Sequence, residues 1–128
     1  MSVERLSAEK YVLLTTFRKS GEPVSTPVWA APLDGELVVW SARDAGKVKR
    51  LRRDDRVEVT ACDVRGRRTH GPTVPGRARL LDAAGSARVR DAIARKYGVI
   101  GRVTMLFSRL RGGTRRTVGI AVRLNSAA

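Results

Sequence analysis

The sequence predicts a mainly β fold, an antiparallel barrel of six short strands with a few helices flanking it. Three observations lead there. Runs of β-branched and aromatic residues recur at strand length. Hairpin-type turn residues separate several of them. Helical patterning is confined to a short crossover and to the stretch before the last strand, which argues against a wound parallel sheet. A chain of 128 residues, 42% of them hydrophobic, is expected to form one domain over 1–128 and to bury roughly two thirds of its unfolded surface.

The elements follow in order. After a helical start over 3–10, Tyr11–Phe17 (YVLLTTF) reads as the first strand. Lys19, Ser20, Gly21 and Glu22 supply a turn, and 24–33 returns as a second extended segment whose Pro27 and Pro32 imply an edge, a bulge or a bend. Asp34-Gly35 is the strongest hairpin signal, because a type I′ turn needs positive φ at both central residues. The third strand, 36–41, pairs back from it. Val48 and Leu51, three apart among Lys47, Lys49, Arg50, Arg52 and Arg53, predict a short basic helix ended by Asp54-Asp55. Arg56–Cys62 alternates with period two and makes a fourth strand; 73–81 makes a fifth, with a bulge or late start at Pro75-Gly76. The best helix spans 83–97, with Ala87, Val89, Ala92, Ile93 and Tyr97 near one face and Gly98 as its stop. A second helical piece over 99–110, a turn at 111–114 and a sixth strand over 117–122 complete the chain.

Composition removes several classes of function. No run approaches the length of apolar residues that crosses a bilayer, and Met1-Ser2-Val3-Glu4 lacks the layout of a secretion signal, so a cytoplasmic protein without membrane insertion is expected. Cys62 is the sole cysteine and His70 the sole histidine, which rules out an internal disulfide and argues against a His/Cys metal site. Neither phosphate-cradling glycine fingerprint is present, and no G-x-S-x-G elbow accompanies His70. Asp34, Asp44, Asp54 and Asp55 all occupy turn positions, where aspartate serves local hydrogen bonding. Cys62, near Arg65 and Arg67, reads either as a nucleophile or, with more weight, as a small residue ending a strand. Trp29 and Trp40 suit ligand stacking and core packing equally.

The net charge of +14 attracts polyanions in general. Yet the 26 basic residues, only 5 of them lysine, are spread along the chain without a basic arm, and much of the excess matches an Arg-, Ala- and Gly-rich composition. A patch of Arg109, Arg111, Arg115 and Arg116 would serve a nucleic-acid-binding barrel, but no RNP-like or helix-turn-helix pattern accompanies it, and specific nucleic-acid binding is not expected. The sharper feature is 41–53. A strand end, a turn with Gly46 and a helix start bring free N–H groups and a positive dipole end to one point, with Lys47, Lys49 and Arg50 beside it. That is a phosphate site or, as plainly, a solvated basic helix face.

The segments 10–17 (KYVLLTTF), 21–29 (GEPVSTPVW), 39–50 (VWSARDAGKVKR) and 62–67 (CDVRGR), with KYG at 96–98 and TVGI at 117–120, resemble the pyridoxamine-phosphate-oxidase-like (PPOX) split β-barrels. Within that group they are most similar to the actinobacterial branch of coenzyme F420-dependent oxidoreductases. The resemblance implies a dimeric, FMN-binding-like split barrel, a homodimer with two cofactor sites at its interface. It places the cofactor phosphate on Lys47, Lys49 and Arg50, and the deazaflavin ring against Thr26, Pro27, Val28, Trp29, Ser41 and Ala42. The implied chemistry is hydride transfer between F420 and a small electron-poor organic substrate. Its alternatives are an FMN-binding oxidoreductase of the same fold and a non-enzymatic F420 carrier. Tyr97, Ser41 and solvent are all eligible proton donors, so no catalytic residue is singled out. The chain ends soon after its last strand, and pyridoxamine phosphate oxidation itself is not expected.

Overall fold

In the computed structural model of the chain, residues 3–112 and 117–125 are described, apart from the side chains of 99–112. Ten elements run in the order α1 (Val3–Ser7), β1 (Tyr11–Phe17), β2 (Pro23–Val28), β3 (Ala30–Leu33), β4 (Glu36–Ala42), α2 (Gly46–Arg53), β5 (Arg56–Cys62), β6 (Thr69–Leu80), α3 (Ala83–Gly112) and β7 (Thr117–Leu124). The strands form one open antiparallel sheet in the order β2-β1-β5-β6-β7-β4-β3. The mainly β, antiparallel expectation holds, with seven strands in place of six. The extra strand arises because 24–33 is not one strand: the chain breaks at Trp29, leaving β2 paired to β1 and β3 paired to β4.

That break sets the architecture. β2 and β3 are the two edges of the sheet, yet a single residue, Trp29, separates them in sequence. The sheet therefore curls until its edges lie within one residue of each other, and the backbone crosses the seam. Edge strands leave unpaired N–H and C=O groups, and at the seam α3 takes them up. The Ala30 N–H donates to the Tyr97 hydroxyl at 3.1 Å, and the Ala30 carbonyl accepts from Lys96 Nζ at 2.5 Å. Tyr97 also stacks on Trp29, ring centroids 4.3 Å apart and planes 8° from parallel.

Two clusters of apolar side chains follow from the curl. Inside lie Val12, Leu14, Val28, Leu37, Val39, Val57, Val59, Ile120 and Val122, joined by Leu6 of α1 and by Val48 and Leu51 of α2. Outside, α3 covers β3, β4 and β7, packing Val89, Ala92 and Ile93 on Ala31, Val38 and Ala121. β4 is thus buried on both faces, which is why ELVVW reads as a continuous apolar run. The hairpin at Asp34-Gly35 has the expected positive φ at both residues, 52° and 78°. Gly98 ends the first part of α3 as expected, but as a kink (φ 61°, ψ −134°) after which the helix continues to Gly112. The strand expected from 73 begins at Thr69, and the irregularity falls opposite, between Val59 and Ala61 on β5. No helix among the described residues is long and apolar enough to cross a membrane.

α3 comes so close to β7 at Gly119 that an added Cβ would lie 2.8 Å from Val89 Cγ2 and 3.0 Å from the backbone Cα of Ser86. The Gly119 N–H donates to the Ser86 hydroxyl across the same contact at 2.9 Å. Gly119→Ala is expected to lift the helix from the sheet at a cost of about 1–3 kcal/mol. Urea denaturation checks it: an unchanged midpoint would mean that α3 does not pack at this distance.

Candidate functional site

α2 carries five cations in eight residues and no acid. Its anchoring explains how it holds them. Val48 and Leu51 insert into the inner cluster, so the other positions face outward. Arg50 and Arg53 are fastened to β1: Arg50 Nε donates to the buried Thr16 hydroxyl at 2.6 Å, and Arg53 Nη2 donates to the Phe17 carbonyl at 2.6 Å. At the helix start, Ala45 makes no side-chain cap, and the N–H groups of Gly46 and Lys47 donate to nothing among the described residues. Gly46 also leaves room for Arg50, whose Nη1 would lie 2.9 Å from a Cβ at that position.

The result is an open groove of about 510 Å³ lined by Arg18, Lys19, Ser20, Lys49, Arg50 and Arg53, with Gly46 at its edge. Its half-built character is electrostatic. Ion pairs elsewhere join Arg56 to Asp54, Arg77 to Asp55, Arg79 to Glu36 and Arg88 to Asp34, whereas none of the five groove cations meets a carboxylate among the described residues. Burial, and then the neighbouring Arg18, lower the Arg50 guanidinium pKa. Burial, and then Arg50, do the same to Lys47, which is half-buried on the first turn of α2 and lies outside the groove lining. A cation near a helix N-terminus also opposes the helix dipole. These are the marks of a surface short of negative charge.

The residues expected to form one site are divided among several places. Lys49 and Arg50 share the groove. Thr26 and Val28 turn toward the barrel interior, where Val28 joins the core and the Thr26 Oγ1 is buried without a partner. Pro27 lies on the outer face of the sheet, beside Leu13 and Gly66. Ser41 is buried with its hydroxyl donating to the Ala42 carbonyl at 3.0 Å, and Ala42 is exposed. Trp29 leaves the groove entirely and lines a second depression with Tyr97 and Lys96. Reading 41–53 alone missed Arg18, Lys19 and Ser20; the turn signal at 19–22 was visible, but nothing in it told that β1 ends against α2.

Of the two side chains eligible as proton donors, Ser41 has its hydroxyl engaged. Tyr97 is engaged as well, accepting from Ala30 N–H and donating to the Lys10 carbonyl at 2.8 Å. Burial raises its pKa. Cys62 is buried, and burial, then Asp63 and Glu9, push its thiol pKa up, the opposite of a nucleophile's environment. Both tryptophans pack against the α3 cluster. No group of metal-ligating side chains exists among the described residues. The Arg109, Arg111, Arg115 and Arg116 patch falls outside the residues whose side chains are described.

Comparison with known proteins agrees with this architecture. A family model described as pyridoxamine 5'-phosphate oxidase matches residues 2–122. No curated protein matches the chain. Among solved structures, an F420 reductase is 17% identical, with a TM-score of 0.61 over 96% of this chain and 93% of its own. A FAD-binding protein from Mesorhizobium loti is 20% identical, with a TM-score of 0.65 over 98% and 88%. A heme storage protein from Vibrio cholerae is 12% identical, with a TM-score of 0.70 over 98% and 89%. Identities of this size establish a shared fold.

Lys96 supplies a pH signature for the seam. Burial lowers its pKa from 10.5 to about 8, with Glu9 acting weakly the other way. Between those values the unfolded chain holds a proton that the folded chain has released, so this lysine's contribution to stability rises with pH across the window. Urea unfolding of the protein and of Lys96→Met at the two ends of that window should show the difference between them moving in favour of the native lysine at the higher pH. A constant difference would contradict the buried placement of Lys96.

Proposed function

The chain belongs to the pyridoxamine 5'-phosphate oxidase family, and from that premise we propose that it binds a phosphate-bearing flavin-type cofactor, coenzyme F420 ahead of FMN, in the cation groove and acts as an oxidoreductase. The observation that carries the proposal is the groove itself: five cations without a carboxylate partner among the described residues, gathered where β1 ends beside the N-terminus of α2. The residues fit the group. A phosphate at this point would meet the free N–H groups of Gly46 and Lys47, the positive end of the helix and the guanidinium of Arg50, an arrangement suited to charge-assisted hydrogen bonds.

F420 stands ahead of FMN because the groove exceeds what one phosphate needs. Beyond Lys49 and Arg50 it offers Arg18, Lys19 and Arg53, which suit the acidic oligoglutamate tail that F420 carries and FMN lacks. The likeness to an F420 reductase supports the same choice. Bound there, the deazaflavin would supply hydride to a small electron-poor organic substrate. The chain's own part is to hold the polyanion: Arg50, fixed on Thr16, is positioned before the ligand arrives, so little side-chain freedom is lost on binding.

The outer face of β1, β2 and β5 suits a second copy of the chain, giving a homodimer with the cofactor sites at its interface. There Leu13 and Pro27 lie together beside Gly66, and a hydroxyl pair, Thr15 and Ser25 at 2.7 Å, bridges the strands without using outward charge. In analytical ultracentrifugation the protein is expected to sediment as a dimer and Pro27→Asp as a monomer; a native monomer would remove the interface from the reading.

Titration with F420, followed by its fluorescence, tests the cofactor. Saturable micromolar binding is expected, with Lys49→Ala weakening it by about 1.5–3 kcal/mol. Arg18→Ala should weaken F420 more than FMN. No saturable binding of either would sink the proposal, and tight binding without turnover over an acceptor panel would leave a carrier of F420 in place of an enzyme.

A further inference from the structure

We propose that the depression at the seam, at the other end of β1 from the cation groove, is a second ligand site, and that it takes a small aromatic monocarboxylate. Tyr11, the first residue of β1, lines it, while Arg18, just past the last, lines the groove. Seven extended residues separate the two by about 20 Å. The sites are therefore distinct within one chain, and the inference does not depend on the cofactor reading.

The depression encloses about 550 Å³, within the range of small-molecule sites. One wall is flat and fixed: Trp29 and Tyr97 lie face to face, and Tyr97 is held by Ala30 and Lys10 through its hydroxyl. The remaining lining comes from Ser7, Ala8, Lys10 and Tyr11. Such a surface takes a planar ring by offset stacking or edge contact.

The anion preference comes from Lys96. Its Nζ spends two N–H groups on the carbonyls of Glu9, at 2.6 Å, and Ala30, at 2.5 Å, which leaves the third for a ligand. No carboxylate pairs with it among the described residues. The nearest candidate, Glu9, is turned to His70, with Oε1 and Nε2 3.0 Å apart. The ammonium is thus half-buried, oriented and without a carboxylate pair among the described residues, 4.9 Å from the centroid of the Tyr97 ring, and its lowered pKa records the same cost of burial. Beside it the hydroxyl of Ser7, a residue 8% exposed, is buried without a partner.

Of the two lysines in the lining Lys10 is exposed and Lys96 alone is half-buried and held in place, and one such cation matches one carboxylate. A phosphate dianion would bring a second charge to a mostly apolar wall that lacks the backbone N–H cradle of the groove. A neutral ring would leave Lys96 unpaired. The geometry selects between these, because a partly desolvated ammonium gains more from an anion than an exposed one does.

The test is calorimetric titration of the cofactor-free chain with 2-naphthoate and with its neutral counterpart 2-naphthylmethanol. Saturable binding of 2-naphthoate is expected, roughly tenfold or more tighter than the alcohol, the usual worth of one charge-assisted hydrogen bond. Lys96→Met should abolish that preference. Since Lys96 also fastens the seam, Ala8→Phe serves as an independent variant: Ala8 is exposed, takes no part in the hydrogen bonds that fasten Ala30, and its enlargement should block both ligands with the fold intact. Lys49→Ala, in the groove, should change neither affinity. Absence of 2-naphthoate binding at millimolar concentration, equal affinity for the alcohol, or binding lost in Lys49→Ala and retained in Ala8→Phe would each overturn the proposal. All three outcomes leave F420 binding to be judged on its own titration.

Discussion

The molecule is held in shape at the backbone of Ala30. A seven-stranded open sheet has two edges, and here both belong to one extended stretch of chain interrupted only by Trp29. The curl is obligatory once β2 pairs with β1 and β3 pairs with β4, but pairing alone leaves the groups at the crossing unsatisfied. Buried backbone groups without partners cost about 1–3 kcal/mol each. Tyr97 and Lys96 supply those partners from outside the sheet, and α3 can supply them because Val89, Ala92 and Ile93 fix its distance from the sheet and Gly98 breaks the helix directly after the pair. Closure of the seam between the two sheet edges and the docking of α3 are therefore coupled, because Ala30 takes its partners from Lys96 and Tyr97 of that helix.

This closure also separates the two ends of β1 chemically. At the far end, where Phe17 stops, α2 is pressed into the mouth of the barrel by two apolar side chains and leaves its cations outside. Guanidinium hydrogen bonds to Thr16 and Phe17 keep that charge in place. At the near end the wall of Trp29 and Tyr97 stands beside one half-buried lysine, Lys96, with the exposed Lys10 also in the lining. The two depressions differ in the number of cations, in exposure and in available backbone N–H groups, which is why different anions are proposed for them.

Much of this was legible from residues whose local physics decides the outcome. Tyr11–Phe17, Arg56–Cys62 and the Asp34-Gly35 turn depend on alternation and on positive φ, which neighbours in sequence determine. The basic helix was legible for the same reason, through Val48 and Leu51. The division of 24–33 was not, because Pro27 and Pro32 announce a bend without saying that the two halves pair with different strands. Nor was the groove complete on paper. Arg18 and Lys19 join Lys49 and Arg50 only through the hydrogen-bonded contact between α2 and β1, a relation across more than thirty positions that no period or spacing encodes. Trp29 suited ligand stacking and core packing equally in the sequence; in the fold its ring packs on Tyr97, a partner fixed by the seam.

The cation groove carries an energetic consequence beyond its choice of ligand. Like charges a few ångströms apart at a surface repel by amounts on the order of 1 kcal/mol per pair, screened by salt. The helix dipole adds to this at Lys47, and no carboxylate among the described residues pairs with it. Elsewhere the same chain pairs Arg77, Arg79 and Arg88 with acids, so it has the means to neutralise arginines and does so away from the groove. Fixing Arg50 and Arg53 on β1 prevents the remaining relief, since side chains bound to a strand cannot splay into water. A structure that concentrates charge and also immobilises it is less stable alone than with a polyanion bound, and binding at a hundredfold excess over Kd returns about 2.7 kcal/mol to the folded state. The repulsion at α2 and the proposed ligand preference therefore have one cause: the field that weakens the groove alone is the field that would hold an anion there.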